Sequence, residues 1–242
     1  GMKFKITCIE HFPEKPLKVA TRLKYREDIT IELLDVLKNT SSQLDIIVND
    51  PDYRLHLYAM FLLAQFRDKR AYPLIVSLVS HTDEILQPLF GDILTEDVFR
   101  ILVSVACGDP GLLQTMAENR EIDEYARSAA LNAIVAMVVL GELPRDEAIA
   151  YFSSLFREKL EREDAFIWSS LVSCSVALHP EELIDDINQA FENDYIELIY
   201  INQQNVEDAL KKPKDGYIES YWKHHSPILI KNAVSELRLW FD

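Results

Sequence analysis

The hydrophobic pattern of this chain gathers around one stretch, Asp123 to Gly141. Between Tyr125 and Leu140 only Arg127, Ser128 and Asn132 are clearly polar, and neither Gly nor Pro interrupts the run. Its alanine content favours helix, and its length exceeds that of an ordinary strand. A helix that is apolar on most of its circumference must be covered on several sides. The segments before and after it are expected to supply that cover.

Apolar positions recur at intervals of three and four on both sides. Residues 2–27 are irregular, with Pro13 and Pro16 arguing against an early helix and Lys18 to Arg26 left as a short one. Thr30 is the expected cap of a run carrying Ile31, Leu33, Leu34 and Leu37. Asp52 to Phe66 predicts a heavily apolar helix, followed by a partner with Leu74, Ile75, Leu78 and Val79. Further helices are expected through Val98 to Val105, Leu112 to Ala117, Ile149 to Leu160, Phe166 to Leu178 and Leu183 to Phe191. Tyr195 to Ile201 reads as a short capping helix, and residues 202–216 as a polar, mobile linker.

Three turns carry a proline where a second helix begins: Pro110, Pro144 and Pro180. Proline is tolerated there because that N–H has no intrahelical partner and its φ is already helical. Helix pairs repeating every 34–40 residues, roughly, are the pattern of an α-solenoid. The expected fold is therefore all-α, an α–α superhelix of antiparallel helix pairs, HEAT-like because the tetratricopeptide and ankyrin signatures are missing. Residues 2–50 would form an N-terminal helical cap and 51–192 the repeats. Residues 193–242 would form a C-terminal cap packed on the last repeat, all in a single structural domain.

Composition narrows the function classes. Forty acidic residues against 25 basic ones give a formal net charge of −15, which argues against nucleic acid or an anionic membrane as partner. No apolar run reaches the roughly 18 residues of a membrane span, and Met2-Lys3-Phe4-Lys5 is not followed by a signal-like apolar stretch. Cys8, Cys107 and Cys174 are an odd, well-separated set without a CxxC pair, as expected of reduced thiols in a cytoplasm. Six histidines show no metal spacing, and no GxSxG, P-loop or GxGxxG occurs. No metal and no cofactor are expected.

The series ITIELLDVL, PDYRLHLYAMFLLAQFRDKRAYPLI, FGDILTEDVFRIL, CGDPGLL, YARSAALNAIVAMVVLGELPRDEAIAYFSSL and LHPEELIDDI resembles the mainly bacterial family known as domain of unknown function 1186, over roughly residues 25–210. The resemblance implies a HEAT-like helical-repeat fold and no settled activity. Some relatives resemble proteins with a Cys-rich zinc tail; here no cysteine follows Cys174, so the resemblance gives no reason to expect zinc.

Candidate residues remain. Asp92, Glu96 and Arg100 would share one face of a continuous helix, where paired carboxylates could bind a cation or act as acid and base. The plainer reading is a helix start with Asp92 or Thr95 as cap. Arg127, inside the central apolar helix, could bind an anion, or pair with a turn acid, Asp109 being the expected partner. Tyr151, Arg157, Trp222 and Trp240 are candidate anchors for a partner. The preferred reading is a non-enzymatic helical-repeat scaffold whose partner is a protein or peptide. The alternative is a small-molecule or metal-assisted hydrolase using the Asp/Glu/Arg cluster. The aromatic tail leaves self-association into a homo-oligomer open.

Overall fold

A computed structural model describes residues 13–21, 26–223 and 228–241. Among them the regular elements are helical and no strand occurs, so the chain is all-α. The helices begin with α1 (Glu14–Ala20), α2 (Arg26–Ser42), α3 (Leu44–Ile47), α4 (Leu55–Phe66), α5 (Tyr72–Val79), α6 (Asp83–Phe90), α7 (Ile93–Glu96) and α8 (Val98–Ala106). They continue with α9 (Gly111–Glu118), α10 (Glu124–Val139), α11 (Arg145–Ser154), α12 (Ala165–Ala177), α13 (Ile184–Glu192), α14 (Gln203–Leu210), α15 (Tyr217–Trp222) and α16 (Ala233–Phe241). The chain divides into two compact units, one running to Cys107 and resuming at Ile228, the other from Gly108 to Pro227.

The first unit is built around α4, of which only Leu55 and Gln65 escape full burial. Because α4 is apolar all round, one neighbour cannot cover it; α2, α8 and α16 all pack on it. The final helix α16 thus lies on α4, with Ala233, Val234 and Leu237 buried. Two local expectations are corrected. Pro13 and Pro16 do not exclude a helix, because they sit at the cap and in the first turn of α1, where no intrahelical N–H is lost. Thr30 does not open α2; it lies one turn inside it, its hydroxyl donating to the Arg26 carbonyl.

The second unit is built around α10, the Ala-rich stretch that dominates the sequence. It is covered by α9, α11, α12 and α15. Asp123 caps it, Oδ1 accepting from the N–H groups of Tyr125 at 2.9 Å and Ala126 at 3.1 Å. Asp164 caps α12 in the same way through Ile167 N–H. Pro110, Pro144 and Pro180 each stand immediately before a helical segment, at the bends. The preceding turns use left-handed residues, Gly108 at φ 89°, Gly141 at φ 71° and His179 at φ 68°. At Gly108 a side chain would also meet the Glu142 carbonyl at 3.2 Å, so glycine is required there twice over. Beyond α13 two expectations fail. Residues 195–201 form turns without a helix, and 203–210 form α14, started by a capping box between Asn202 and Asn205 and held by buried Val206 and Ala209.

Within each unit, side chains hydrogen-bond backbone carbonyls of a neighbouring helix pair. Arg67 Nε donates to the Ser104 carbonyl 37 residues on, and Arg145 Nε to the Leu178 carbonyl 33 residues on. The Tyr151 hydroxyl donates to the Gln114 carbonyl 37 residues back. These bonds recur at close to the spacing of the proline turns.

His56 illustrates a buried polar group with a measurable consequence. It is fully buried on α4, stacked on Tyr53 and edge-on to Phe90. Its Nε2–H donates to the Leu89 carbonyl at 2.8 Å, which leaves Nδ1 unprotonated and without a hydrogen-bond partner. Burial pushes its pKa down to about 4, from the ordinary 6.5. The fold therefore requires neutral His56, and that contribution is complete above pH 6.5 and lost as pH falls towards 4. Urea unfolding should show about 1 kcal/mol lost between pH 7.5 and 5.5 and about 3 kcal/mol by pH 4. His56→Gln, which keeps a donor for Leu89, should be less stable at pH 7.5 but flatter across this range; parallel profiles would refute the assignment.

Candidate functional site

The charged residues singled out by the sequence fall into two interior clusters. Arg127 on α10 is 1% exposed. Its Nε donates to the Ala117 carbonyl at 3.0 Å, and its guanidinium bonds Glu161 on two arms and Asp164 Oδ2 at 3.1 Å. The partners are thus two acids of the turn before α12, and the expected Asp109 is not among them. Against the burial that would raise it, hydrogen bonding to Arg127 holds the Glu161 carboxyl below its ordinary range. Every arm of this guanidinium is engaged with protein, so it offers nothing to an anionic ligand.

Arg100 makes the second cluster, and it corrects another expectation. The helix meant to align Asp92, Glu96 and Arg100 is interrupted at Asp97, whose φ of −120° separates α7 from α8. Asp92 and Glu96 are exposed, whereas Arg100 is buried and bonds Asp97 at 2.6 Å and Glu236 of α16 at 2.8 Å. Trp240 Nε1–H donates to the other Asp97 oxygen at 2.7 Å. Asp97 and Glu236 look like ordinary surface acids in sequence; only the return of α16 gives them this role. The three-residue acid–base face does not form.

The remaining candidates are scattered. Tyr151 is buried, its ring beneath Lys159 Nζ, and so cannot be a surface anchor. Arg157 is an exposed side chain whose Nε donates to Asp186 at 2.9 Å. Trp222 and Trp240 are half-buried, Trp222 beside the Tyr221 ring. Cys174 is buried, its thiol pushed up to about 12 by burial alone, which leaves it unreactive. Cys8, His224 and His225 lie outside the described residues. Among the described residues no group of three or more His, Cys, Asp or Glu could hold a metal ion, and no helix is long and apolar enough to cross a membrane.

What stands out in the second unit is the segment expected to form a short capping helix. Leu198 is 66% exposed, Ile199 87% and Tyr200 52%. Tyr195 and Ile196 turn inward instead, and Ser169 Oγ holds the turn by accepting from the Glu197 N–H at 2.9 Å. Tyr200 meets the half-buried Phe166 edge-on at 5.1 Å, and Phe166 meets Tyr125 at 4.7 Å, making a row of three rings. Tyr200 also lines an open recess of about 370 Å³ shared with Ser173, Asn205, Asp208 and Tyr217. Isolated exposed apolar residues are ordinary; here three consecutive ones stand beside aromatic rings.

The family model for a protein of unknown function, DUF1186, matches residues 3–242. The chain belongs to the DUF1186 family. An uncharacterized protein of Chlamydia trachomatis serovar D is 38% identical to this DUF1186 chain over 216 residues, covering 88% of the chain and 84% of that protein. An uncharacterized protein of Chlamydia muridarum is 37% identical over 215 residues, covering 88% and 85%. No solved structure matches the chain. Membership in DUF1186 leaves the chemistry of the chain to be read from the residues themselves.

Proposed function

We propose that this DUF1186 protein is a non-enzymatic helical-repeat scaffold, HEAT-like in its pairing of helices, that binds a protein or peptide partner on the face carrying Leu198, Ile199 and Tyr200. The exposure of these three consecutive apolar residues is the observation that carries the reading. Hydrocarbon kept in water costs about 25 cal/mol per Å², and nothing in the packing of α12 or α14 requires it there. The open recess that Tyr200 lines offers room for one anchoring side chain. The two interior arginines support the same reading from the opposite direction, since their donors are engaged within the fold.

Photo-crosslinking inside the native host tests it. A crosslinking residue at position 199 should yield one or a few discrete protein adducts, and the same residue at exposed Glu158 should not. Adducts at 199 should vanish when Leu198 is replaced by aspartate. Equal labelling at 199 and 158, or adducts indifferent to Leu198→Asp, would overturn the proposal.

A further inference from the structure

We infer that the partner presents a basic segment, whose Lys or Arg side chain lies over the Tyr125–Phe166–Tyr200 rings while an apolar neighbour covers Leu198 and Ile199. This rests on the reading of Leu198–Tyr200 as a docking surface and names the chemistry of what docks.

The argument is one of charge complementarity around an aromatic floor. Asp123 and Glu124 precede Tyr125, Asp164 lies two residues before Phe166, and Glu197 precedes Leu198. Three separate elements therefore deliver acids to the margin of the same ring row. The acids feel one another. Burial first, and then the negative charges of Asp164, Asp123 and Glu197, push the Glu124 carboxyl above its ordinary range. Arg127, itself fully buried, pairs with Glu161 and Asp164, so Asp164 is neutralised from within and the negative rim is carried by Glu124 and Glu197 beside the cap Asp123. An arginine or lysine over a ring face surrounded by carboxylates gains from both the ring quadrupole and the Coulomb field. A second copy of the chain is the less suitable occupant. It would bring the same acidic rim, on a molecule of net charge −15, against its own image.

The test uses the full chain and a displayed library of random dodecapeptides, panned at low salt. Enriched peptides should carry Lys or Arg beside an apolar residue. Raising salt from 50 to 300 mM should weaken the leading peptide by about tenfold, a readout that needs no variant. Glu124→Gln with Glu197→Gln should weaken it by about five- to tenfold, while Ile199→Asp should abolish it, each at an unchanged melting temperature. Enriched peptides that lack basic residues yet require Ile199 would sink the inference and leave the docking surface standing. Peptides indifferent to Ile199, or none enriched, would sink both. A dimer seen by light scattering and lost in Ile199→Asp would make the occupant a second copy and overturn the basic partner.

Discussion

Replacing Arg127 with alanine should lower the unfolding free energy by about 3–5 kcal/mol, the cost of stripping one partner from a buried ion pair. Three losses coincide at this residue. The Ala117 carbonyl at the end of α9 loses its donor, Glu161 and Asp164 lose their counter-charge, and α10 loses the volume of its largest fully buried side chain. Arg127→Met restores part of the volume but none of the donors, so it should recover only a minority of the loss. Arg127→Lys should fare little better, because an ammonium cannot serve a carbonyl and two carboxylates on separate arms. Urea midpoints for the three variants are the measurement. A loss below about 1 kcal/mol for the alanine variant would mean that water replaces the guanidinium, and the cluster would then be a surface feature.

The second large effect concerns the end of the chain. A protein ending at residue 227 lacks α16 and should lose on the order of 5–8 kcal/mol in the first unit, from the burial of Ile230, Val234 and Leu237 together with the bonds of α16. Those bonds are Glu236 to Arg100, Trp240 to Asp97, and Ala233 N–H to Gln65 at 2.8 Å. Such a loss is comparable with the whole stability of a domain. Hydrogen exchange should therefore show α4 and α8 amides unprotected in the shortened protein while α10 and α12 keep their protection. Glu236→Gln isolates the polar part and should cost about 1–3 kcal/mol. Protection of α4 unchanged by the truncation would show that α2 and α8 alone suffice to cover it.

Both results turn on groups that the sequence marks unequally. Arg127 is conspicuous, a lone guanidinium in an apolar helix, but nothing local says which of the many turn acids it will meet. Asp109 and Asp164 both lie in turns beside the central hairpins, and the choice between them follows from how α12 is laid against α10. Asp97 and Glu236 are less legible still, since 139 positions of chain, roughly, separate them and each reads as one more solvated acid. The Asp92, Glu96 and Arg100 spacing misleads for a related reason. Helical periodicity assumes an unbroken helix, and the break at Asp97 rotates Arg100 inward. The run from Tyr195 to Ile201 is apolar enough for a buried helix, yet its turn leaves Leu198, Ile199 and Tyr200 in water.

The sequence by itself determined what local physics controls. It set the all-helical class through 3.6-residue periodicity and helix propensity, the bends through proline's missing N–H, and α10 as a helix needing cover on several sides. Only the tertiary structure decided which acids neutralise Arg127 and Arg100, that α16 closes over α4, and that an aromatic row with an acidic rim faces solvent. Those outcomes depend on contacts between residues tens to more than a hundred positions apart, and such contacts leave no periodic trace in the segments that make them.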